Sequence, residues 1–285
     1  MERNSKKEIV NESDGERDYF MKEYELIESA ALNDFAHSAS KDVVEKCGIK
    51  IFPVGGVNGL IASKIDIPEF NRVVGLGIKE PFDERVMDII LNKIEVNEVK
   101  RFFVQIHPEV YSSQLRRFLE LHSFFHYNNW VRLARDSSAA QKIKTNLDIK
   151  KITPEKSKSF AEIVVKSFDW PYVLIKWIAA LVGRKNWYHY MAFERNIPVA
   201  SAAFFHSNDY AWFGFAATDP DHRGKGAQSA LLAKRIEDCR DLGVKSIILE
   251  TAEQTSEKES PSYRNVLKAG FKEAYKRANY FFVKK

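Results

Sequence analysis

Two segments of the chain resemble each other at a fixed distance, and this repeat limits the possible folds more than any other feature. The segment GLGIKEP begins at Gly75 and the segment GFAATDP begins at Gly214, so the glycines are 139 residues apart (214 − 75). Their closing prolines, Pro81 and Pro220, are also 139 residues apart (220 − 81). RFFVQ then matches KSIIL, and LELHSFFHYNNWVRL matches VLKAGFKEAYKRANYFF, in the same order. The repeat predicts two copies of one supersecondary unit.

Hydrophobic periodicity gives both copies the same alternation of strands and helices. In the first half we predict helices at residues 17–38, 82–94 and 112–122, and strands at 49–54, 59–65, 72–78, 101–106 and 124–133. In the second half we predict helices at 154–168, 171–182, 226–242 and 262–269, and strands at 150–153, 187–194, 198–206, 210–217, 245–251 and within 271–283. The polar stretch 136–146 predicts a linker between domains at 1–140 and 141–285. Alternating helices and strands predict an α/β fold.

Composition excludes several classes of protein. Of the 285 residues, 45% are hydrophobic, which is enough to bury two cores. The net charge of +5 suits an anionic ligand, but the lysines are too scattered to indicate nucleic-acid binding. Cys47 and Cys239 show no disulfide or metal spacing, so we expect no metal. The polar N-terminal stretch, residues 1–16, lacks a signal peptide's apolar core, and no apolar run is long enough for a membrane span. We therefore expect a cytoplasmic monomer or homodimer that binds no membrane.

The stretch TDPDHRGKGAQSALL joins a predicted strand to a predicted helix and is the most informative part of the chain. Gly224 and Gly226 let the backbone turn sharply and approach a ligand closely. The first amides of a helix lack acceptors and lie at the positive end of the helix dipole, and Arg223 and Lys225 add positive charge there. This arrangement fits a pyrophosphate. The glycines alone are equally compatible with a plain solvated loop, because neither a Walker loop nor a dinucleotide fingerprint is complete.

The second half of the chain resembles the GNAT superfamily of N-acetyltransferases over residues 146–285. The pyrophosphate signature of that family, Arg/Gln-x-x-Gly-x-Gly/Ala, reads RGKGAQ here, from Arg223 to Gln228, and Gln228 departs from it. A second family element is SYRNVLKAGFKEAYKRANYFF, in which Gly270 and Phe271 end a helix and begin a strand. The resemblance implies a tandem GNAT fold of the α/β (α+β) class, in which each half has a mixed, mostly antiparallel sheet flanked by helices.

The same resemblance implies that acetyl-CoA is the co-substrate. Its pyrophosphate would lie on the glycine loop, and its pantetheine arm would lie between two parting strands, 212–217 and 245–251. A primary amine of a small-molecule acceptor would then attack the thioester directly, while a backbone N–H polarises the carbonyl. The expected cofactor-binding residues are Phe215, Ala216, Ala217, Arg223, Gly224, Lys225, Gly226, Ala227, Gln228, Ser262 and Asn265. For Asn265, a helix N-terminal cap is the alternative.

Two side chains are candidates for catalysis. Glu250, at the end of a predicted strand, is the candidate general base, and a solvated strand-end carboxylate is the alternative. The tyrosine with which the family often protonates the leaving thiolate falls on Val266 here, so that role is not carried over. Tyr263, one helical turn earlier, is the candidate acid, and a packing aromatic is the alternative.

The first half has no glycine loop at the matching position. It reads FDERVM at residues 82–87, where Asp83 and Glu84 would repel a pyrophosphate. It therefore resembles a degenerate GNAT domain that is structural or supplies part of the acceptor pocket. In the second half, three residues either line that pocket or belong to the core: Trp170, Pro171 and Tyr172.

Three functions remain open from the sequence. The first is an active N-acetyltransferase. The second is a non-catalytic acyl-CoA-binding sensor, which the missing tyrosine favours. The third is a tRNA-dependent aminoacyl transferase, because such enzymes also pair two folds of this kind; a basic surface stripe and salt-dependent RNA binding would indicate it.

Overall fold

The computed structural model describes residues 12–255 and 260–283, with side chains from residue 22 onwards. Its helices are α1 (Glu12–His37), α2 (Lys41–Cys47), α3 (Glu84–Val96), α4 (Ser113–Leu121), α5 (Ser157–Phe168), α6 (Leu174–Ala179), α7 (Ala227–Asp241) and α8 (Pro261–Lys268). Its strands are β1 (Ile49–Val54), β2 (Val57–Ala62), β3 (Arg72–Val73), β4 (Arg101–Ile106), β5 (Phe124–Asp136), β6 (Asp148–Lys151), β7 (Trp187–Glu194), β8 (Ile197–Ser207), β9 (Tyr210–Thr218), β10 (Ser246–Ala252) and β11 (Lys272–Val283). The polar stretch at residues 1–16 lies largely outside the described residues.

The strands form one continuous sheet in the order β1-β2-β3-β4-β11-β5-β10-β9-β8-β7-β6. Two neighbouring pairs in it are parallel, β3 with β4 and β9 with β10. Helices α5 and α6, together with α1 from the first half, pack on one face of the second half of the sheet. Helices α7 and α8 pack on its other face, and α3 and α4 pack on the first half of the sheet. The predicted class, a mixed and mostly antiparallel sheet flanked by helices, is confirmed.

The two halves of the sheet are joined by an exchange of their last strands. Strand β5, which ends the first half, lies between β10 and β11, and β11 in turn lies between β4 and β5. Each half therefore completes the sheet of the other. Strands from both sides of the predicted linker belong to one sheet. The division into domains 1–140 and 141–285 stays a prediction.

The third strand is much shorter than predicted. Strand β3 pairs with β4 only at Arg72 and Val73, so the prediction of a strand over residues 72–78 is wrong beyond Val73. The physical reason is that Gly75 and Gly77 adopt φ values of 79° and 78°, which turn the chain out of the extended conformation. Helix α6 is also shorter than predicted, because its two ends form turns instead.

Helix α1 connects the two halves. Its Phe35 stacks on Trp177 of α6 with ring centroids 4.4 Å apart, and Trp177 Nε1 donates to the Phe35 carbonyl at 2.8 Å. Asp34 accepts from Arg184 at 2.6 Å and from Trp187 Nε1 at 2.8 Å. These contacts bind the end of α1 to the second half, and α1 also packs on β1 and β2. Within residues 12–255 and 260–283, every helix is too short or too polar to cross a bilayer.

Candidate active site and cofactor cleft

Strands β9 and β10 run in parallel and then part. Their pairing extends from Tyr210 opposite Ser246 to Trp212 opposite Ile248. Beyond that point β9 continues to its end at residue 218 and β10 to its end at residue 252 without further pairing between them. A gap between parted strands presents backbone N–H and C=O groups to an extended ligand, which can bind there as an added strand would.

The gap begins beside an irregularity in β9. The register of β9 against β8 shifts after Gly214, and Phe215 then adopts a left-handed φ of 51°. That conformation is uncommon for a bulky residue, and the surrounding packing has to hold it. The Phe215 ring lies 5.6 Å from the Phe35 ring and 5.9 Å from the Trp187 ring. The next residue, Ala216, is exposed beside the gap.

The loop after β9 has the backbone geometry of an anion site. Gly224 and Gly226 have φ values of 81° and 76°, and a Cβ placed on either would meet no atom within 4 Å. Helix α7 begins at Ala227, and its first hydrogen bond runs from Ala230 N to the Gly226 carbonyl at 3.0 Å. The amides of the preceding turn therefore lie at the open, positive end of a 15-residue helix.

Gln228, which departs from the family signature, has a clear structural role. Its Nε2 donates to the Ala217 carbonyl and to Thr218 Oγ1, both at 2.8 Å. These two bonds fasten the first turn of α7 to the end of β9. The side chain thus sets the position of the loop relative to the gap.

The two cations of the loop, Lys225 and Arg223, differ in their contacts. Lys225 Nζ lies 2.6 Å and 2.9 Å from the two carboxylate oxygens of Glu194, and His222 Nδ1 lies 2.9 Å from the same carboxylate. These contacts hold the pKa of Glu194 below its usual range, chiefly through the hydrogen bond from Lys225. Arg223 is exposed and makes no ion pair within the part of the chain that the structure describes. Glu194 is 31 residues from Lys225 in sequence, so no local pattern could have identified it.

A cleft of about 770 Å³ opens at this loop. It is lined by Gly224, Lys225, Gly226, Glu194 and residues 143–147, which include the end of the predicted linker. The linker is fixed to the loop because Thr145 Oγ1 donates to the Lys225 carbonyl at 3.4 Å. The cleft places the loop's glycine backbone next to open space, as ligand binding requires.

Glu250 lies on β10, two residues beyond the last pairing with β9, and its side chain is 16% exposed. Arg277 donates a hydrogen bond to it, and guanidinium nitrogens of Arg132 and Arg72 lie 3.6 Å and 3.7 Å from its carboxylate. The alternative of a solvated strand-end carboxylate is therefore wrong, because long-range folding covers this strand end with arginines. Burial raises the pKa of Glu250, although Arg277 opposes the shift. Its role as a base stays a prediction.

Helix α8 carries the remaining candidates. The Tyr263 hydroxyl donates to Glu273 of β11, and this bond raises the pKa of the phenol. Ser262 is exposed and Asn265 is half-buried. Ser260 caps the helix by accepting from the Tyr263 amide at 3.3 Å, so the capping role considered for Asn265 is wrong. The Ser260-Pro261 pair at the start of the helix is the sequence signal that predicts this cap.

The aromatic segment before α6 contacts the first half. The Trp170 ring lies 4.9 Å from the Phe70 ring and 4.8 Å from the Phe168 ring, and Trp170 packs against the core shared with α1. Pro171 is exposed, and Tyr172 is 82% exposed. The structure therefore assigns Trp170 to the packing between the halves and leaves Tyr172 at the surface.

The corresponding site in the first half is filled by protein. Asp83 accepts from the Arg85 amide at 2.8 Å at the start of α3, so an acidic side chain occupies the helix end as predicted. Where β3 and β4 part, a Cβ on Gly77 would stand 2.3 Å from Val110. The backbone of α1 also approaches there, 3.7 Å from the corresponding position on Gly75. Within residues 12–140 the structure shows neither the glycine loop nor the open gap of the second half.

Comparison with known proteins finds a family match within the second half. Residues 153–266 match the model of the acetyltransferase (GNAT) family. No curated protein sequence matches the chain significantly.

Among solved structures, a GCN5-related N-acetyltransferase from Kribbella flavida is similar with a TM-score of 0.61 at 14% identity, over 88% of this chain and 95% of that chain. A GCN5-related N-acetyltransferase from Sphaerobacter thermophilus gives 0.57 at 15% identity, over 70% and 66%. A tandem GNAT protein from the clavulanic acid biosynthesis pathway gives 0.52 at 14% identity, over 73% and 70%. At these identities the likeness shows the fold alone, which this chain shares with GNAT proteins, one of them a tandem GNAT protein.

Proposed function

We propose that this chain, whose residues 153–266 form a domain of the GNAT acetyltransferase family, transfers an acetyl group from acetyl-CoA to a primary amine of a small molecule. The proposal rests on the position of the glycine loop beside the gap between β9 and β10. A glycine loop with two left-handed residues, Gly224 and Gly226, opens α7 at the end of β9, where β9 has parted from β10. A helix N-terminus with exposed amides suits a diphosphate, and a strand gap suits the arm attached to it.

In this proposal the pyrophosphate lies against the backbone of Arg223, Gly224, Lys225, Gly226 and Ala227. The amides before the first helical hydrogen bond donate to its oxygens, and the exposed Arg223 guanidinium adds a charge-assisted contact. The pantetheine arm continues between the strands. It bonds there to the backbone of Phe215, Ala216 and Ala217, with Ser262 and Asn265 on the flanking helix α8.

The chemical step needs no covalent intermediate on the protein. The acceptor nitrogen forms the new C–N bond, the C–S bond of the thioester breaks, and the carbonyl double bond reforms from the tetrahedral intermediate. A backbone N–H beside the exposed Ala216 stabilises the oxygen as charge develops on it. The nitrogen loses one proton to a base and the CoA thiolate takes up one proton, so the step is balanced.

Glu250 is the proposed base. It lies on the strand that borders the gap, and burial raises its pKa, which brings a carboxyl group closer to the pKa that general-base catalysis favours. Tyr263 is the proposed proton donor to the thiolate from α8. Its hydroxyl donates to Glu273, so this role requires that it exchange that partner for the sulfur.

The first half, residues 1–140 in the proposed division, is not a second CoA site in this proposal. Asp83 occupies the helix end there, and Val110 fills the space beside Gly77. Calorimetric titration with CoA should therefore give a stoichiometry of one per chain. A stoichiometry of two would contradict the assignment of the site to the second half.

The activity is tested by the release of free thiol from acetyl-CoA in the presence of a panel of primary amines, with acetyl-CoA alone as the control for hydrolysis. Amine-dependent thiol release, with an acetylated amine identified by mass spectrometry, is the expected result. Absence of measurable CoA binding would refute the proposal at its first step.

A second function is favoured by one observation. Both candidate catalytic side chains already have partners, Glu250 with Arg277 and Tyr263 with Glu273. This suits a non-catalytic acyl-CoA-binding sensor, in which the same cleft binds the cofactor without turnover. Tight binding of acetyl-CoA together with no thiol release from any amine would favour the sensor over the transferase.

A further inference from the structure

Helix α1 and four strands enclose a cluster of six charged side chains beside the strand gap. Its members are Glu25 and Glu28 of α1, Arg72 of β3, Arg132 of β5, Glu250 of β10 and Arg277 of β11. Glu25, Glu28 and Arg132 are fully buried, and Arg277 and Arg72 are 1% and 6% exposed. Three carboxylates and three guanidinium groups balance in charge, which is what burial of so many ions requires.

The three carboxylates of the cluster are not equivalent. Burial by itself would raise the pKa of Glu28, but Arg132 and Arg277 outweigh burial and hold that pKa well below its usual range. The pKa of Glu25 is likewise lowered, against burial, by Arg277 and Arg132. For Glu250 burial prevails and the pKa is raised. Where the environments of neighbouring carboxylates separate their pKa values, one group commonly stays charged while another transfers a proton.

Glu250 is also the most exposed carboxylate of the three, at 16%, and it lies on the part of β10 that borders the strand gap. The charged groups that act on it come from four surrounding elements. They are Arg277 from β11, Arg132 from β5, Arg72 from β3, and Glu28 from α1. Arg72 is the one arginine of this set that belongs to an unexchanged strand of the first half.

Arg72 is held by contacts on several sides. Its Nη1 donates to Gln105 Oε1 at 2.9 Å and lies 3.4 Å from Glu28 and 3.7 Å from Glu250. Its guanidinium carbon lies 5.8 Å from the centre of the Trp130 ring. The cation therefore has a fixed position between Glu28, whose pKa is lowered, and Glu250, which borders the gap.

We propose that Arg72 is a positioning residue for Glu250, so that the first half of the chain takes part in the acetyl transfer although it binds no CoA. This inference rests on the proposed function of Glu250 as a base. Arg72 does not touch the reacting atoms; it fixes the orientation of the Glu250 carboxylate and its proton affinity. This assigns a catalytic purpose to the fused first half, whose own loop and gap are closed.

The experiment replaces Arg72 by glutamine, which keeps a hydrogen-bonding group near Gln105 but removes the charge. Arg72→Lys retains the charge, and Arg101→Gln is the matched control, since Arg101 is a first-half arginine that pairs with Asp66 at the surface. The titration of Glu250 is followed by carbon NMR of labelled glutamate carboxyl groups, with its signal assigned from the Glu250→Gln variant. The pH profile of kcat/KM and the Kd for CoA are measured on the same proteins.

Removal of an opposite charge at this distance should raise the Glu250 titration midpoint and the acid limb of the pH profile by about one pH unit. In Arg72→Lys, which keeps the charge, most of this shift should be absent. Arg101→Gln should match the wild type, and the Kd for CoA should be unchanged in all three variants. If Arg72→Gln does not fold, Arg72→Met takes its place with the same expected shift, because it keeps an apolar stem beside Trp130 and removes the charge near Glu250.

The outcomes separate this inference from the proposed function. Turnover with an unmoved midpoint and an unmoved acid limb would overturn the role of Arg72 and leave the transferase activity intact. A moved midpoint without turnover of any amine would overturn the transferase activity instead. A tenfold or greater rise in the Kd for CoA in Arg72→Gln would also overturn the inference, since a residue that acts only through Glu250 leaves cofactor binding untouched.

Discussion

The glycine loop gives the sharpest test of the cofactor site, because the same helix carries a matched control at its other end. Gly226 and Gly243 flank α7, and their φ values are 76° and 74°. A Cβ on either would meet no atom within 4 Å. The substitutions Gly226→Ala and Gly243→Ala therefore introduce the same strain into the same kind of open surroundings.

The expected cost to stability is equal at the two positions. A left-handed alanine costs about 1–2 kcal/mol relative to glycine, and no steric term is added in the ligand-free protein. Urea unfolding followed by circular dichroism should therefore give similar losses for Gly226→Ala and Gly243→Ala. A much larger loss at Gly226 alone would mean that this loop contacts more of the protein than the structure shows.

The expected effect on CoA binding differs between the two positions. At Gly226 the new methyl group stands where a phosphate must approach the backbone, and a hydrogen bond to a charged group contributes about 1.5–3 kcal/mol. The Kd for CoA, measured by calorimetry, should rise roughly tenfold to a hundredfold. Gly243→Ala should bind CoA like the wild type. Equal CoA affinities in Gly226→Ala and Gly243→Ala would refute the placement of the pyrophosphate at this loop.

Three further perturbations test the surroundings of the site. Glu194→Gln removes the carboxylate that holds Lys225, so the Kd for CoA in calorimetry should fall about two- to fivefold at low salt and less at high salt. Gln228→Ala breaks two hydrogen bonds at the start of α7 and should lower the free energy of unfolding in urea by about 1–2 kcal/mol while weakening CoA binding. The pKa of Glu28 is held below its ordinary value of 4.5, so its stabilising effect is complete above that pH and is lost as the pH falls through the folded-state pKa. Urea midpoints should therefore stay level from pH 6 to about pH 5 and fall as the pH drops below 4.5; a constant midpoint down to pH 3 would contradict the charge assignment.

Local sequence patterns determined the parts of this protein that depend on neighbouring residues. The 139-residue repeat predicted two related units, and periodicity located most of their helices and strands. The glycines of the RGKGAQ segment predicted the left-handed turns before α7, because few other residues adopt them without strain. Asp83 at the start of α3 predicted that the first half has no phosphate site, since a helix end occupied by its own carboxylate repels an anion.

Tertiary structure decided which of these elements meet. The alternation of side chains along β5 and β11 fixes the face that each residue occupies, but it does not choose a partner strand, so the exchange of the two strands had no signal in sequence. The same limit applies to the ion pairs of the site. Glu28 finds Arg277, and Lys225 finds Glu194, across separations of 249 and 31 residues. The charge of Glu250 is therefore set by a cluster that exists only after the two halves have shared a sheet, because electrostatic interactions depend on distance in space and not on distance along the chain.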